Sequence, residues 1–117
     1  MRIMLVDDHP GFRQVVKMHL QTAGAEFLEC DNGLEGVARY AQLQPELVLM
    51  DIAMAGLDGL RATAQIKARF PEARIIVLTQ YDDPDLREAA RQAGACEYVL
   101  KEDLSQLQAL LQSTLKT

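Results

Sequence analysis

Short apolar runs alternate along the chain with longer stretches in which apolar residues recur at helical spacing. The runs predict five strands, at residues 3–6, 27–30, 47–51, 74–79 and 98–101. The central run, Leu47-Val48-Leu49-Met50, is apolar throughout and is followed by Asp51, which is typical of a strand buried on both faces. Because a helical pattern follows every strand, we predict an α/β fold: a five-stranded parallel sheet with right-handed crossovers and helices on both faces.

The helices are located by their apolar positions and by the residues at their ends. The predicted inward positions are Phe12, Val15, Val16, His19 and Leu20 in the first helix, Leu34, Val37, Ala38 and Ala41 in the second, Leu60, Thr63, Ile66 and Phe70 in the third, and Leu104, Leu107, Leu111 and Leu115 in the fifth. The predicted boundaries are Pro10 and Gly24 for the first helix, Asn32 and Pro45 for the second, Pro71 for the end of the third, and Pro84 and Gly94 for the fourth.

Composition and charge narrow the class of protein. At 117 residues the chain has the size of one domain, and we expect residues 1–117 to form a single domain. The formal net charge of −5 argues against direct nucleic acid binding, which requires clustered Lys and Arg. The sequence contains no apolar run of membrane-spanning length and no signal peptide, so we expect a cytoplasmic protein without a membrane partner. Cys30 and Cys96 lack metal-ligand spacing and are expected to be reduced and mostly buried.

Four of the five predicted strands end in polar residues of a particular kind. They are Asp7 and Asp8 after the first strand, Asp51 in the third, Thr79 in the fourth and Lys101 in the fifth. The carboxyl ends of parallel strands meet at one edge of the sheet, where ligands bind in open α/β folds. Three carboxylates at that edge repel one another by roughly 4 kcal/mol per pair at about 4 Å and an effective dielectric constant near 20. Lys101 supplies one compensating charge, and Mg²⁺, which prefers oxygen ligands, is the expected second.

A carboxylate beside a metal, a lysine and a hydroxyl predicts a site for a phosphoryl group. Aspartate can act as a nucleophile and form an aspartyl phosphate, while the metal and Lys101 neutralise charge on the phosphoryl oxygens. Taken singly, Asp8 reads as a helix cap, Lys101 as a surface lysine and Thr79 as an ordinary strand end. Their occurrence together at one edge favours the phosphoryl site.

The motif set as a whole resembles the receiver domain of two-component response regulators. The motifs that carry the resemblance span the chain and are Asp7-Asp8, Val48-Leu49-Met50-Asp51-Ile52, Asp58-Gly59, Leu78-Thr79, Gly94-Ala95 and Tyr98-Val99-Leu100-Lys101. Two further motifs, Asp8-His9-Pro10 and Tyr81-Asp82-Asp83, are similar to those of receivers attached to LuxR- or NarL-type helix-turn-helix domains. The resemblance implies a flavodoxin-like sheet with strand order 2-1-3-4-5. In that order Cys30 and Cys96 lie at opposite edges, too far apart to form a disulfide.

The resemblance also implies a role for each site residue. Asp51 would be the phosphoacceptor, and Thr79 and Lys101 would contact the phosphoryl group. Mg²⁺ would be held by Asp8 directly, by Asp7 mainly through water, by Asp51, and by the main-chain carbonyl of Ala53. Tyr98 would be the aromatic residue that moves with Thr79 on activation.

Three positions qualify this picture. Ala55 stands where many receivers carry proline, which should loosen its loop without removing a ligand. Glu102 follows Lys101 where many receivers have proline, so we expect a trans peptide bond there. His9 is interpreted as a solvent-facing loop residue and not as a ligand.

The expected function is that of a signalling switch. A sensor histidine kinase would transfer a phosphoryl group to Asp51, and the surface made by the fourth helix, fifth strand and fifth helix would change to control an output domain or partner, in transcriptional regulation. The mixed charges Asp85, Arg87, Glu88, Arg91 and Glu102 on that surface would suit a homodimer contact. The domain would catalyse only its own phosphorylation and dephosphorylation, so it would not be an enzyme acting on a separate product. We expect the chain either to be a stand-alone receiver or to lack a C-terminal DNA-binding domain.

The sequence disfavours two other classes of function. An interaction module that never takes phosphate is disfavoured by the complete set Asp7, Asp8, Asp51, Thr79 and Lys101. A flavodoxin-like cofactor binder is disfavoured because it would need uncharged loops around a phosphate. A hydrolase that forms an aspartyl phosphate is disfavoured because it would need both a second acid as general base and room for a substrate.

Overall fold

The computed structural model describes residues 1–20, 24–54 and 56–115, with side chains as far as residue 112. Strands and helices alternate in this part of the chain as predicted. The strands are β1 (Arg2–Val6), β2 (Glu26–Cys30), β3 (Leu47–Met50), β4 (Ile75–Thr79) and β5 (Glu97–Leu100). The helices are α1 (Pro10–His19), α2 (Gly33–Leu43), α3 (Gly59–Arg69), α4 (Pro84–Ala93) and α5 (Leu104–Leu115). No helix in the described part of the chain is long and apolar enough to cross a membrane.

The five strands form one parallel sheet in the order β2-β1-β3-β4-β5, which confirms the predicted fold class and strand order. β1 and β3 lie side by side, and their register pairs Val6 with Met50. The next residue of each strand therefore emerges at the same level of the sheet edge, and these residues are Asp7 and Asp51. The N–H of Asp51 donates to the carbonyl of Val6 at 2.9 Å, which holds the two strand ends together.

Helices cover both faces of the sheet, and alternate strand residues supply the two cores. In β3, Leu47 and Leu49 join a core that contains Leu107 of α5, whereas Val48 and Met50 join the opposite core with α3. All four β3 residues are buried, because each face of a central parallel strand lies under a helix. This explains why the strand reads as an uninterrupted apolar run.

The apolar face of α1 is narrower than predicted. Val16 and Leu20 are buried and Phe12 packs partly against the core, so one row of positions four residues apart faces inward. Val15 is 40% exposed and His19 is exposed, which corrects their predicted inward positions. α1 also ends at His19, five residues before Gly24.

The inward face of α2 was predicted only in part: Val37 is partly buried and packs against the core, and Ala41 is partly buried. The buried residues of α2 are Gly33, Gly36 and Tyr40, whereas Leu34 is 69% exposed and Ala38 is exposed. The helix is turned by its glycines, since a Cβ atom on Gly33 would lie 2.3 Å from the carbonyl oxygen of Leu57. A glycine contributes no hydrophobic signal, so an apolar pattern cannot show that it faces the core.

The remaining helices and caps agree with the sequence. In α3, Thr63 and Ile66 are buried and Leu60 and Phe70 are partly buried. Gly94 ends α4 in the left-handed conformation, with φ +107°. The side chain of Asn32 acts as the predicted cap and accepts from the N–H of Glu35, and the side chain of Asp83 also caps its helix by accepting from the N–H groups of Asp85 and Leu86. Leu104, Leu107 and Leu111 are buried in α5.

The remaining predictions concern Ala55, Leu115, the peptide bond after Lys101 and the two cysteines. The side chain of Leu115 and the whole of Ala55 lie outside the described residues, so the predictions for them stand untested. The peptide bond after Lys101 is trans, as expected. Cys30 is buried, but Cys96 is exposed, which corrects the expectation that both thiols are buried; they lie at opposite edges of the sheet and are free.

Candidate functional site

The predicted site residues meet at the carboxyl edge of the sheet. Asp7 follows β1, Asp51 follows β3, Thr79 is the last residue of β4 and Lys101 follows β5. The N–H of Lys101 donates to the carbonyl of Thr79 at 2.8 Å, so the ends of β4 and β5 are tied together as those of β1 and β3 are. The strand order therefore brings together residues that are separated by up to 94 positions in the sequence.

Asp51 is a buried carboxylate beside a lysine. Its residue is 4% exposed, and its Oδ2 lies 3.5 Å from Nζ of Lys101. Burial, and next the negative charge of Asp7, raise the pKa of Asp51 from 3.8 to about 6, while Lys101 acts in the opposite direction. Nζ of Lys101 lies closer to Oδ2 of Asp7, at 2.9 Å. The single ammonium group is therefore shared between two carboxylates, and the negative charge of Asp51 is not fully compensated.

His9 contacts both acids of the first strand end. Its Nδ1 lies 3.2 Å from Oδ1 of Asp7 and 2.8 Å from Oδ1 of Asp8, although 67% of its side chain is exposed. His9 is the N-cap residue of α1 but makes no side-chain capping bond, so the imidazole is free to face the acids. The sequence analysis correctly placed His9 at the surface and missed these contacts. The sequence analysis predicted that His9 is not a metal ligand, and this stays a prediction.

The acidic cluster has the donor set that a divalent cation requires. Ligand atoms of Asp7, Asp8, His9 and Asp51 all lie within 4.8 Å of one another. The carboxylate oxygens are hard ligands that suit Mg²⁺, and burial, followed by the charge of Asp7, raises the pKa of Asp51 and so disfavours a carboxylate that such an ion would stabilise. The residues present therefore fit the predicted ion. Ala53 follows in the exposed start of the loop after β3, and its role as a carbonyl ligand stays a prediction.

The loop after Asp51 is held by the start of α3. The N–H of Gly59 donates to the carbonyl of Ile52 at 3.1 Å, and a Cβ atom on Gly59 would lie only 1.8 Å from the carbonyl oxygen of Asp51. The side chain of Asp58 caps the helix by accepting from the N–H of Arg61 at 2.9 Å. The pair Asp58-Gly59 thus allows the helix to approach the main chain of Asp51 closely.

Thr79 and Tyr98 are linked through the main chain of Tyr81. Oγ1 of the fully buried Thr79 accepts from the N–H of Tyr81 at 3.2 Å, which leaves the hydroxyl proton available to another acceptor. The hydroxyl of Tyr98 donates to the carbonyl of the same residue, Tyr81. Tyr98 is 9% exposed, and the guanidinium of Arg87 is stacked 4.6 Å from the centroid of its ring. The sequence analysis named Tyr98 as the aromatic residue that moves with Thr79, which stays a prediction, and it did not identify Tyr81 as the link between them.

The first turn of α1 supplies three further contacts that the sequence analysis missed. The ammonium of Lys101 lies 4.6 Å from the centroid of the Phe12 ring. Nη1 of Arg13 donates to the main-chain carbonyl of Asp7, and its Nε donates to Oε1 of Glu29 on β2 at 2.8 Å. Helical spacing identified Phe12 as a core residue, but none of these contacts of Phe12 and Arg13 has a signal in the sequence.

The surface of α4, β5 and α5 carries the predicted charges, and three of them, Arg87, Glu88 and Arg91, form ion pairs within α4 or with the loop before it. Arg91 pairs with Glu88 one turn earlier, and Arg87 pairs with Asp82 at 3.2 Å. A shallow groove of about 260 Å³ lies beside them and is lined in part by Tyr98. The homodimer contact proposed for this surface stays a prediction.

Comparison with known proteins finds one family. The chain matches the response regulator receiver domain over residues 3–112. It is 38% identical over 102 residues to LiaR, a transcriptional regulatory protein of Bacillus subtilis strain 168, covering 86% of this chain and 48% of LiaR. It is 32% identical over 102 residues to the chemotaxis protein CheY of Listeria monocytogenes, covering 86% of each chain.

A solved structure agrees with these matches. The signal receiver domain of NarL from Mycobacterium tuberculosis superposes with a TM-score of 0.86 and 26% identity, covering 99% of this chain and 97% of that one. The chain thus spans about half the length of LiaR, but most of the length of the chemotaxis protein.

Proposed function

The chain belongs to the response regulator receiver domain family of two-component systems, and from this premise we propose that Asp51 accepts a phosphoryl group from a sensor histidine kinase with Mg²⁺. The observation that carries the proposal is the environment of Asp51, a buried carboxylate between Asp7 and Lys101 with a pKa raised to about 6. Such a group is ionised at neutral pH, as a nucleophile must be, yet it is not held inert by a full salt bridge.

For phosphoryl transfer to Asp51, the protein mainly has to position the reacting groups and compensate their charge. One carboxylate oxygen of Asp51 forms the new P–O bond, the P–N bond of a phosphohistidine donor breaks, and its electron pair stays on the imidazole, which takes up a proton. Lys101 offsets charge on the phosphoryl oxygens, and the free proton of the Thr79 hydroxyl is donated to one of them. Mg²⁺ held by Asp7, Asp8 and Asp51 would supply further positive charge to those oxygens.

The signal would leave the site through Tyr81. When Thr79 turns its hydroxyl to the phosphoryl group, the N–H of Tyr81 loses or shifts its acceptor, and the Tyr81 carbonyl holds the hydroxyl of Tyr98. A movement of Thr79 is thereby coupled to the loop before α4 and to the ring of Tyr98. The surface of α4, β5 and α5 then differs between two states, and a partner that prefers one state reads the signal.

The output is proposed by analogy with the relatives. LiaR is a transcriptional regulatory protein, so we propose that this receiver controls transcription, through an attached DNA-binding domain or a partner that binds the changed surface. A homodimer through α4, β5 and α5 is one form of that control. Catalysis is confined to the domain's own phosphorylation and dephosphorylation, and cytoplasmic location stays a prediction.

Intact-mass measurement tests the phosphoryl transfer. The protein is incubated with acetyl phosphate, an acyl phosphate donor, in the presence of Mg²⁺ or of EDTA. We expect one added phosphoryl group with Mg²⁺, much less with EDTA, and none in Asp51→Asn. Asp8→Ala should weaken Mg²⁺ binding, measured by amide NMR, and slow the reaction. If the parent protein takes no phosphoryl group from acetyl phosphate or from a sensor histidine kinase, the result would favour an interaction module that does not use phosphate.

Sedimentation tests the route of the signal. Fluoroberyllate with Mg²⁺, which imitates the phosphoryl group, should increase self-association of the parent and do so less for Thr79→Ala. Thr63→Ala is the matched control, because Thr63 is also fully buried but lies on α3. An equal response of Thr79→Ala and Thr63→Ala would exclude the route through Thr79.

A further inference from the structure

The ring of Phe12 lies against the charged end of the site lysine. Nζ of Lys101 is 4.6 Å from the ring centroid, within the range of a cation–π interaction. Only 14% of the Lys101 side chain is exposed, so water screens this attraction little. We propose that Phe12 is a positioning residue for phosphoryl transfer: its ring holds the ammonium of Lys101 at the mouth of the site. This inference rests on the proposed function of Asp51.

Lys101 needs such support because its two anionic partners compete for it. Its Nζ lies 2.9 Å from Oδ2 of Asp7 and 3.5 Å from Oδ2 of Asp51. To meet a phosphoryl group on Asp51, the ammonium has to give up part of its contact with Asp7. A lysine is a point charge on a flexible four-carbon chain, and it does not carry the fixed geometry of an arginine. Without another contact, the exchange of partners would let the side chain turn outward to water.

An aromatic ring is suited to this exchange. Its electrostatic attraction acts on the whole ammonium group and uses none of the three N–H donors in a directional hydrogen bond. The donors of Lys101 remain free to leave Asp7 and reach phosphoryl oxygens while the charge stays over the Phe12 ring. A leucine at the same position would fill similar space but offer no such attraction.

The fold fixes the ring in place. Phe12 lies in the first turn of α1, and Val16 and Leu20 continue the same row into the core. Arg13 anchors the turn from the other side, through the carbonyl of Asp7 and the carboxylate of Glu29. Because both sides of the turn are held, the Phe12 ring keeps a fixed position relative to the strand end that carries Asp7.

The alternative is that Phe12 only fills the core, and the chain offers a matched control for it. Phe27 on β2 is also partly buried and packs against the same core as Phe12. Phe27→Leu therefore makes the same chemical change with a comparable loss of packing, and no contact between Phe27 and Lys101 is found among the described residues.

The experiment measures the phosphorylation rate with acetyl phosphate and saturating Mg²⁺ in the full chain, by intact mass. We expect Phe12→Leu to be about three- to tenfold slower than the parent, in keeping with a cation–π contribution at a partly desolvated site. Phe27→Leu should keep the parent's rate although it loses a similar amount of stability. Phe12→Tyr, which keeps the ring, should stay within about twofold of the parent. Fluorination of the Phe12 ring, which weakens its negative face but preserves its shape, should slow the rate stepwise.

A spectroscopic signature completes the test. The ring current of Phe12 should shift the Cε proton signals of Lys101, and the shift should disappear in Phe12→Leu and persist in Phe12→Tyr. If Phe12→Leu phosphorylates as fast as Phe27→Leu, or if fluorination has no effect, the ring is packing only and the inference is wrong. If the parent itself takes no phosphoryl group at Asp51, the proposed function fails first, and this inference fails with it.

Discussion

Replacement of Asp51 by asparagine is expected to stabilise the protein at neutral pH in the absence of divalent cations. The carboxylate is 4% exposed, and burial and Asp7 raise its pKa from 3.8 to about 6. At about 1.4 kcal/mol for each pH unit, this difference corresponds to about 3 kcal/mol of stability lost when Asp51 ionises in the folded protein. Asparagine has nearly the same shape and cannot ionise, so Asp51→Asn avoids this loss.

The sign and the pH window follow from the two pKa values. Below 3.8, Asp51 is protonated in both the folded and unfolded states and contributes nothing. Between 3.8 and about 6 the folded state holds the proton and the unfolded state releases it, so stability falls as the pH rises. Above about 6 the loss is complete. The advantage of Asp51→Asn should thus be about 3 kcal/mol at pH 7.5 and about half of that at pH 5.

Urea denaturation in EDTA at both pH values measures the effect as a difference in the free energy of unfolding. Asp82→Asn serves as the control, because Asp82 is an exposed carboxylate whose surface pair with Arg87 is worth about 0–1 kcal/mol. Mg²⁺ should then stabilise the parent and leave Asp51→Asn almost unchanged. If Asp51→Asn is no more stable than the parent at pH 7.5, or if its advantage does not decrease at pH 5, the described electrostatics of the site are wrong.

Three further substitutions test the surroundings of the site and the fold. Arg13→Gln removes the hydrogen bond to the carbonyl of Asp7 and should lower the free energy of unfolding by about 2 kcal/mol. Lys17→Gln, which disturbs only the shared partner Glu29, should lower it by about 0.5 kcal/mol. Equal losses would mean that Arg13 does not anchor the end of β1. Thr63→Val should raise the free energy of unfolding by about 1 kcal/mol, because the described residues offer the buried Thr63 hydroxyl no hydrogen-bond partner, and a loss of stability would mean that the hydroxyl is satisfied. Gln44→Gly should stabilise by about 0.5–1 kcal/mol, since Gln44 ends α2 at φ +42°, whereas Gln44→Ala should not; thermal or urea unfolding checks both.

The strands and the site could be predicted from the sequence because both depend on strong, local signals. Leu47 to Met50 are buried on both faces, so the strand is apolar at every position and ends sharply at Asp51. Once the strands are parallel, their ends must share an edge, and the meeting of Asp51, Thr79 and Lys101 at that edge follows from their positions in the sequence.

The missed features depend on groups that carry no such signal. The face of α2 is set by Gly33 and Gly36, whose missing side chains permit close approach but do not register as hydrophobic. The link between Thr79 and Tyr98 uses the main-chain N–H and carbonyl of Tyr81, groups that nearly every residue possesses. The contact of Phe12 with Lys101 joins residues 89 positions apart and requires the three-dimensional structure.

Reductive trapping tests the central claim most directly. Borohydride converts an aspartyl phosphate to homoserine, and peptide mass spectrometry then identifies the residue that carried the phosphoryl group. After reaction with acetyl phosphate and Mg²⁺, we expect homoserine at position 51 alone, and none when Mg²⁺ is replaced by EDTA. Homoserine at Asp7 or Asp8, or a phosphoryl group on His9, would contradict the assignment of Asp51 as the phosphoacceptor.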